Sequence, residues 1–396
     1  MRLTIVIPAL NEEQSIKSII EKCLDARDSI VKDSDLKEVD VTVVSDGSTD
    51  NTVKYANEYA DQIKIIVFDK NQGYGAAIKK GWDESDAELL GFLDADGTCD
   101  PLFFKELTNL ITKDGADIAL GCRINENSQM PLTRRFGNKI FSIILSFLAS
   151  QKVKDTASGM RVIKKEILQD IYPLPDGLHF TPAMSAVALS NPEIKILEKD
   201  MLYHEREGES KLHVFKDGVR FFKIITKLSF MYRPHVILTL FAFIVGVVSL
   251  VLMIEPINYY INFGEVKEFM IYRFCFSGLG SVITTLLFSV SFISEKIVRA
   301  SILKSRNEIS SKIFIGRFFD SKLMWVLIVS LLVAGFLLIG DSLKMRITTG
   351  ETYEHWSRYI AMIFIYTNAF ILIGAKVINY TLRLIIGKKE YLYTKQ

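Results

Sequence analysis

The run Leu89-Leu90-Gly91-Phe92-Leu93-Asp94-Ala95-Asp96 decides the fold class of this chain. Its unbroken apolar part predicts a strand that is buried on both faces, as in a parallel sheet. The strand ends on two carboxylates one residue apart, which would repel each other without a cation between them. Hard cations such as Mg²⁺ or Mn²⁺ prefer oxygen ligands and often join carboxylates to substrate phosphates. We therefore expect a buried sheet with a metal site at the end of this strand.

Similar apolar strands alternate with helical patterns on either side of this run. Strands are predicted at Leu3–Pro8, Val39–Ser45, Ile63–Phe68, Leu89–Asp94 and Ala116–Gly121, and helices at Glu12–Ser29, Asp50–Ala60, Ala76–Ser85 and Pro101–Lys113. This βαβ pattern predicts a mostly parallel sheet that is covered on both faces. Because such sheets bind ligands beyond the carboxyl ends of their strands, the residues after each strand are the candidate site.

The residues after the first two strands can be read as helix starts. Asn11 is a suitable N-cap for the first helix, and Thr49 or Asp50 can cap the second. Asp46 has no structural role that the sequence reveals. Its carboxylate is therefore a candidate acceptor for a base N–H or a ribose hydroxyl.

Two glycines, Gly73 and Gly75, follow the third strand and precede a helix. Such a turn lets backbone N–H groups approach phosphate oxygens at the positive end of the helix. A tight turn without a ligand explains the glycines equally well.

The last 160 residues or so contain four apolar segments that are long enough to cross a hydrocarbon core of about 30 Å. They are Val236–Ile254, Phe274–Ile293, Leu323–Gly340 and Tyr359–Ile378. Their number and length argue against buried core helices of a soluble protein. Lys376 lies near the end of the last segment, where its side chain could snorkel to the surface.

The loops between these segments predict how the chain is oriented. Basic residues are concentrated in 294–322 and in the tail, whereas the loop 255–269 carries only Lys267. By the positive-inside rule, both termini and the loop 294–322 are cytoplasmic. The apolar run Leu3–Leu10 is short and contains Pro8, so it does not predict a signal peptide. We expect a multi-pass protein of the cell membrane with a cytoplasmic first domain.

Charge and cysteine content exclude two other classes of protein. The net charge of +2 gives no basic excess for nucleic-acid binding. The four cysteines show no metal-ligand spacing and no disulfide framework, which is typical of a reducing compartment.

Seven short motifs, in order, resemble family 2 glycosyltransferases of the GT-A fold, and among them the polyprenyl-phosphate glycosyltransferases typified by dolichol-phosphate mannose synthase. The motifs are Ile7-Pro8-Ala9-Leu10-Asn11-Glu12, Val44-Ser45-Asp46-Gly47-Ser48, Asn71-Gln72-Gly73-Tyr74-Gly75, Asp94-Ala95-Asp96, Gly121-Cys122-Arg123, Asp155-Thr156-Ala157-Ser158-Gly159 and Arg206-Glu207-Gly208-Glu209-Ser210-Lys211-Leu212. The resemblance covers roughly residues 1–235. It implies a Rossmann-like, mostly parallel α/β domain of the GT-A type, followed here by an α-helical transmembrane domain of four helices.

The resemblance also implies roles for individual residues. The nucleotide would be held by Pro8, Leu10, Glu12, Asp46, Lys70, Gly73, Gly75, Asp94 and Ala95. The metal, Mg²⁺ or Mn²⁺, would be held by Asp94 and Asp96, with Thr98 as a candidate third ligand. Catalysis would involve Asp96 together with Arg123, Ser158, Arg206 and Lys211 around the acceptor phosphate and the departing diphosphate.

The sequence departs from the family pattern at two places. Members commonly read D-A-D-L-Q-H-P-P where this chain has Asp94-Ala95-Asp96-Gly97-Thr98-Cys99-Asp100-Pro101. The stretch His179–Met184 lacks the acidic residue often found there. The sugar, the nucleotide base and the polyprenyl chain therefore stay open.

Two stretches suit a membrane surface. In 213–235, the basic residues Lys216, Arg220, Lys223 and Lys227 recur at helical spacing beside apolar ones, as in an interfacial helix. The stretch 132–149 is basic at first and then almost wholly apolar. Ordinary packed helices are the alternative interpretation for both.

The predicted organisation is a glycosyltransferase domain at 1–212 containing the possible interfacial helix 132–149, an interfacial helix at 213–235, a four-helix transmembrane domain at 236–386 and a tail at 387–396.

The predicted reaction is metal-dependent, inverting transfer of a hexose from a UDP- or GDP-sugar to a polyprenyl phosphate, dolichyl or undecaprenyl, at the cytoplasmic membrane face. Its partners would be this donor, this acceptor and the lipid bilayer, without nucleic acid, and the transmembrane helices could form a homo-oligomer.

Three alternatives remain open at this point. The chain could transfer sugar to another lipid acceptor, or it could be a catalytically inactive sugar-nucleotide-binding scaffold in the membrane. A processive polysaccharide synthase is disfavoured because no tryptophan follows an arginine, as the Q-x-x-R-W motif requires.

Overall fold

The structure is a computed structural model that describes residues 1–126, 128–148, 152–191, 193–206, 214–302, 318–351 and 355–393. The chain divides into two compact units, Met1–Tyr232 and Arg233–Gln396. Each unit has its own hydrophobic core.

The first unit is built on a seven-stranded sheet with the order β3-β2-β1-β4-β6-β5-β7. The strands are β1 (Arg2–Ala9), β2 (Glu38–Ser45), β3 (Lys64–Val67), β4 (Leu89–Leu93), β5 (Ile118–Cys122), β6 (Met160–Lys164) and β7 (Ile196–Asp200). Only the pairs that β6 makes with β4 and β5 are antiparallel. The five predicted strands and the mostly parallel sheet are therefore confirmed.

The sequence did not predict β6 and β7, because neither is a plain apolar run. The middle of β6 carries Arg161, which is fully buried and donates to the carbonyl oxygens of Thr156 and Ser158 and to the Ser185 hydroxyl. A buried guanidinium is tolerated when its donors are satisfied in this way. The edge strand β7 contains three charged residues in five.

Eight helices of the first unit flank the sheet within the described residues. They are α1 (Ile16–Lys32), α2 (Thr52–Asn57), α3 (Tyr74–Asp83), α4 (Phe104–Thr112), α5 (Leu132–Leu148), α6 (Leu168–Ile171), α7 (Phe180–Ser190) and α8 (Val214–Tyr232). One face of the sheet is buried by the apolar sides of α1 and α4. The other is buried by α3, α7 and α8, where Trp82 lies 5.7 Å from Phe180 and 5.9 Å from Phe92 between ring centroids.

The start of α1 differs from the prediction. The helix begins at Ile16 with Ser15 as its N-cap, so the assignment of Asn11 as N-cap is wrong. Asn11 instead has a φ of 51° and accepts a hydrogen bond from the Thr49 amide. Asparagine is among the few residues that adopt this left-handed conformation readily, and here it joins the loops after β1 and β2. At α2 the N-cap is Asn51, so the assignment of Thr49 or Asp50 as N-cap is wrong as well, although the Asp50 carboxylate accepts from the Thr52 amide at the start of the helix.

The second unit consists of long apolar helices. They are α9 (Pro234–Phe263), α10 (Ile271–Ile302), α11 (Leu323–Thr349) and α12 (Trp356–Tyr393). Among the residues that the structure describes, four helices are long and apolar enough to cross a membrane, as predicted. The snorkelling predicted for Lys376 is wrong. Its side chain is buried, and its ammonium donates to the Ser321 carbonyl at 3.1 Å.

Candidate active site

A cavity of about 480 Å³ opens at the carboxyl edge of the sheet in the first unit. Because β6 runs antiparallel to β4 and β5, the chain that enters β6 lies at this same edge. The residues that line the cavity come from both halves of the sheet and from α5 and α8. They include Pro8, Leu10, Glu12, Asp46, Gly73, Tyr74, Asp94, Ala95, Asp96, Arg123, Arg134, Gly159, Tyr203, Arg206 and Arg220. Its volume is in the range of small-molecule sites, about 300–1,000 Å³.

The two carboxylates after β4 are held by neighbouring hydroxyls. Asp94 Oδ1 accepts from the Tyr74 hydroxyl at 2.6 Å. Asp96 Oδ1 accepts from the amide and the hydroxyl of Thr98, at 3.2 and 2.6 Å. Burial, and after it the charge of Asp96, raise the pKa of Asp94 to about 7. A cation that comes between the two carboxylates therefore stabilises the ionised pair.

Arg206 supplies a cation beside Asp96. Its Nη1 donates to Asp96 Oδ2 at 2.9 Å, and its Nη2 donates to Glu12 Oε1 at 2.7 Å. This guanidinium thus joins the loop after β1 to the loop after β4. Its Nε is buried and has no hydrogen-bond acceptor within the described part of the chain. Arg206 is therefore placed to bind an additional anion once one enters the cavity.

The donor atoms at this site suit a hard divalent cation. The described residues contain no cluster of three or more histidine, cysteine, aspartate or glutamate side chains that could hold a metal. Mg²⁺ is usually bound by one or two carboxylates, with substrate phosphates and water completing its shell. Asp94 and Asp96 fit that pattern, and both line the cavity.

Thr98 does not fit the role of third ligand. It is 1% exposed, does not line the cavity, and donates its hydroxyl proton to Asp96. Its hydroxyl therefore orients the Asp96 carboxylate. We assign Thr98 a positioning role in place of metal ligation.

Gly159 makes room for the Asp94 carboxylate. A Cβ atom added at Gly159 would lie 1.9 Å from Asp94 Oδ2, which is far inside van der Waals contact. We expect Gly159→Ala to displace the carboxylate and to lower the catalytic rate at this site by about 10²-fold, as misplacement of a reacting group by about 1 Å can do. Gly137→Ala is the matched control, because an added Cβ there meets no atom within 4 Å. Equal catalytic rates for the two variants would contradict this role of Gly159.

Arg123 is fixed beside the carboxylates by a buried ion pair with Asp155. Its Nε and Nη2 donate to Asp155 Oδ2 and Oδ1 at 2.7 and 2.9 Å, and its guanidinium lies 5.5 Å from the centre of the Tyr203 ring. Asn138 of α5 also donates to Asp155, at 2.6 Å. Burial opposes ionisation of Asp155, but the Arg123 charge and these hydrogen bonds outweigh it and hold its pKa below the ordinary value. Arg123 Nη1 has no acceptor among the described residues, so this rigid cation can still bind an anion in the cavity.

Asp46 has a structural role that the sequence did not reveal. Its carboxylate accepts from the backbone amide of Gln72 at 2.6 Å and from the backbone amide of Gly73 at 3.0 Å. Asp46 therefore fixes the glycine turn before α3 as well as lining the cavity. At Gly73 the φ is 113°, and an added Cβ would lie 2.4 Å from the Asp176 carbonyl oxygen. Only glycine fits this turn.

Of the predicted site residues that the structure describes, four do not line the cavity, namely Lys70, Gly75, Thr98 and Ser158. Ser158 is fully buried and donates its hydroxyl proton to the Gly121 carbonyl at 2.6 Å, so it joins β5 to the chain entering β6 and has no free hydroxyl for a substrate. Gly75 donates its amide to Asp176 O at 2.6 Å. Lys70 is exposed beside the turn. Lys211 lies outside the described residues.

The structure adds four side chains to the site that were not predicted there. Tyr74 and Asp155 belong to two of the seven family-like motifs, but their roles depend on contacts with Asp94 and Arg123 that no motif reveals. Arg134 of α5 and Arg220 of α8 were predicted at a membrane surface, and they line the cavity. Their position could be found only once both helices were known to pack on this edge of the sheet.

The helix α5 exposes one continuous apolar stripe. Its exposed residues Leu132, Phe136, Ile140, Ile143 and Phe147 recur at the spacing of a single helix face. The opposite face packs on the domain, where Phe141 lies 6.0 Å from Phe221 of α8 between ring centroids.

The helix α8 is packed on one side and exposed on the other. Its residues Phe221, Ile225 and Leu228 are buried, which is the behaviour of an ordinary packed helix. The other side exposes Phe222 and Phe230 together with Lys223 and Lys227. The side chain of Lys216 lies outside the described residues.

Comparison with known proteins identifies the family of this domain. The family model described as glycosyl transferase family 2 matches residues 4–172. A dolichyl-phosphate hexose transferase of Haloferax volcanii is 31% identical over 233 residues, which cover 57% of this chain and 93% of that protein. The chain belongs to glycosyltransferase family 2.

Other proteins share the same region of this family 2 chain. The hexosyltransferase Agl6 of low-salt glycan biosynthesis in Haloferax volcanii is 31% identical over 222 residues, 55% of this chain and 51% of that protein. The chain thus spans about half the length of that relative. A crystal structure of glucosyl-3-phosphoglycerate synthase from Mycobacterium tuberculosis, with Mn²⁺, UDP and phosphoglyceric acid, is similar to this chain with a TM-score of 0.44 and 17% sequence identity. The matched part covers 57% of this chain and 78% of the synthase chain. The family match confirms the resemblance, and the mostly parallel seven-stranded sheet agrees with the GT-A type of fold that it implies.

Proposed function

We propose that this protein transfers a hexose from a UDP- or GDP-sugar to a polyprenyl phosphate, with inversion at the anomeric carbon. The observation that carries the proposal is the cavity in which carboxylates and arginines from both halves of the sheet meet. Relatives named dolichyl-phosphate hexose transferase in Haloferax volcanii and dolichol-phosphate mannosyltransferase in Pyrococcus furiosus support the acceptor class.

The strand order supports a division of the cavity between donor and acceptor. Pro8, Leu10, Glu12 and Asp46 follow β1 and β2 and would hold the nucleoside of the donor. Arg123 and Gly159 adjoin β5 and β6, on the opposite side of β4, and would face the acceptor. Asp94 and Asp96 follow β4 between these halves, where the donor diphosphate and the acceptor phosphate must meet.

The two helices that reach the cavity support a lipid acceptor. Arg134 and Arg220 line the cavity from α5 and α8, and both helices also expose apolar side chains. A phosphate head group and an apolar chain need this combination of cations and apolar surface. We propose that the exposed stripe of α5 and the outer side of α8 lie at the cytoplasmic membrane surface.

The reaction needs no strong general base. The second pKa of a phosphate monoester is about 6, so the acceptor is largely a dianion at pH 7. One of its oxygens would attack the anomeric carbon and form the new C–O bond. The bond from that carbon to the diphosphate breaks, and the electron pair leaves with the nucleotide.

The protein would assist by holding two anions together and by offsetting the charge of the leaving group. Arg123, fixed by Asp155, is a preorganised donor for the acceptor phosphate, and preorganised donors stabilise developing charge effectively. Asp94 and Asp96 would hold Mg²⁺ or Mn²⁺, which when bound offsets charge on the departing diphosphate. Arg206 would turn from Asp96 towards that diphosphate.

A donor and acceptor screen tests the proposal. Purified full-length protein is given UDP- and GDP-linked hexoses with undecaprenyl or dolichyl phosphate, in Mg²⁺ or Mn²⁺ and in a chelator. Release of nucleotide that requires both the metal and the lipid phosphate is expected. Release with a neutral lipid would move the acceptor to another class, and nucleotide binding without turnover would favour the inactive scaffold.

A further inference from the structure

Three cations, of which the two lysines are buried and the arginine is half exposed, lie around one carboxylate in the second unit. Lys296 of α10 and Arg383 of α12 each donate to Asp320 Oδ1 at 2.7 Å, and Asn379 of α12 donates to the same oxygen at 2.9 Å. The third cation, Lys376, is 2% exposed. We call Lys296, Asp320, Lys376, Asn379 and Arg383 the cationic cluster.

The cationic cluster keeps an excess of positive charge. Within the part of the chain that the structure describes, its cations contact one carboxylate, Asp320. The ammonium of Lys376 has one acceptor among the described residues, the Ser321 carbonyl, although it can donate three hydrogen bonds. The N-terminus of α11, which begins at Leu323, adds the partial positive charge of a helix end. Burying the two lysines is costly unless anions offset their charge.

An apolar cavity of about 370 Å³ lies next to this cluster between α10, α11 and α12. Its lining includes Phe288, Leu331 and Leu372, and Phe319, which precedes Asp320 in the chain. Leu372 is one helical turn before Lys376. The Phe319 ring stacks on Phe292 at 4.7 Å, and Lys296 Nζ lies 4.8 Å from the Phe292 ring centre. The cavity lining therefore adjoins the cationic cluster through Phe319 and Leu372, while the charged side chains themselves stand behind that lining.

We propose that this cavity and the cationic cluster bind a lipid with a phosphate head group. The apolar chain would occupy the cavity, and the phosphate would accept hydrogen bonds from Lys376 and Arg383. An ionisable group inside an apolar bundle is commonly part of a ligand pathway. The site lies wholly within the second unit and does not depend on the proposed transfer reaction. Both a prenyl phosphate and an anionic phospholipid have the required chemistry.

Photocrosslinking of the purified full-length protein tests the site. The probes are a photoreactive prenyl phosphate, the matching prenyl alcohol and a photoreactive phosphatidylglycerol, and labelled peptides are mapped by mass spectrometry. We expect a phosphate probe to label the segments around Leu331 and Leu372, and the alcohol to label them at least about tenfold less, because it lacks charge-assisted hydrogen bonds. Whichever phosphate probe labels more strongly identifies the source of the lipid.

Substitutions distinguish head-group binding from a structural ion cluster. Lys376→Gln and Arg383→Gln should each lower labelling by the phosphate probe about tenfold, as loss of a hydrogen bond to a charged group does. Lys344→Gln, at an exposed lysine of α11, is the control and should leave labelling unchanged. Arg383 is about half exposed, so its variant keeps the test valid if Lys376→Gln does not fold.

Several outcomes would overturn the proposal. Equal labelling by the alcohol and the phosphates would mean that the cavity is merely apolar. Labelling that is unchanged in both cluster variants would mean that the cations only brace the helices. Asp96→Asn protein should keep the labelling, which separates this site from the proposed transfer reaction.

Discussion

Asp96→Asn is expected to lower the rate of sugar transfer by about 10²–10³-fold, the effect of removing one main electrostatic group from an active site. The substitution removes the charge that would hold the metal. It also leaves one acceptor oxygen where Asp96 has two, so the present hydrogen bonds from Thr98 and Arg206 to separate oxygens cannot both be kept. The rate is measured as formation of polyprenyl-phosphate-sugar by purified full-length protein.

A second measurement shows whether the metal is the cause. Nucleotide binding is followed by calorimetry with and without Mn²⁺, and Mn²⁺ should strengthen it in the unsubstituted protein much more than in Asp96→Asn. Asp83→Asn removes an exposed carboxylate at the end of α3 and is the matched control. Unchanged transfer and unchanged Mn²⁺ dependence in Asp96→Asn would rule out the metal assignment.

Asp155→Ala is expected to destabilise the protein by about 3–5 kcal/mol, because removal of one partner of a buried ion pair leaves the other charge uncompensated. Asp155 is fully buried. Its carboxylate accepts two hydrogen bonds from the Arg123 side chain and one from the Asn138 side chain of α5. The loss should lower the midpoint of thermal unfolding by roughly 10 °C in a domain of this size. Transfer should fall as well, since Arg123 loses its fixed position.

The control for Asp155→Ala is an exposed ion pair of the same domain. Glu58 lies 2.5 Å from Lys17, and both side chains are more than 40% exposed. Glu58→Ala should cost at most about 1 kcal/mol, the usual range for exposed pairs. Thermal unfolding of both variants is followed by intrinsic fluorescence in the same detergent. Similar midpoints for the two variants would contradict the structural importance of the Arg123–Asp155 pair.

The parts of the fold that depend on local pattern could be predicted from the sequence. An apolar run such as Leu89–Leu93 has few alternatives to a buried strand, and four long apolar helices are evident from length and composition alone. The strand β6 could not be predicted, because its Arg161 is stable inside the core only when the carbonyls of the preceding turn and the Ser185 hydroxyl of α7 accept from it. The start of α1 was missed for a similar reason, since Asn11 bonds to Thr49 across two loops.

Residues of the candidate site could be predicted from the sequence where their place relative to the strand ends decides whether they reach the cavity. Glu12, Asp46, Asp94, Asp96, Arg123 and Arg206 all line one cavity, as the motifs and the parallel sheet predicted they could. The roles of Tyr74, Thr98 and Ser158 depend on the direction of a hydroxyl, which sequence does not reveal. Ser158 turns to the Gly121 carbonyl, Thr98 turns to Asp96 and Tyr74 turns to Asp94.

The transfer of sugar to a lipid phosphate is tested most directly by isotope labelling of the acceptor. Polyprenyl phosphate with ¹⁸O in its terminal phosphate oxygens is incubated with the productive nucleotide sugar, the metal and the purified protein, and the products are analysed by mass spectrometry. If a phosphate oxygen attacks the anomeric carbon, the lipid product keeps every labelled oxygen and the released nucleotide contains none. Labelled nucleotide, loss of label from the lipid product, or sugar on a lipid without phosphate would contradict the proposed reaction.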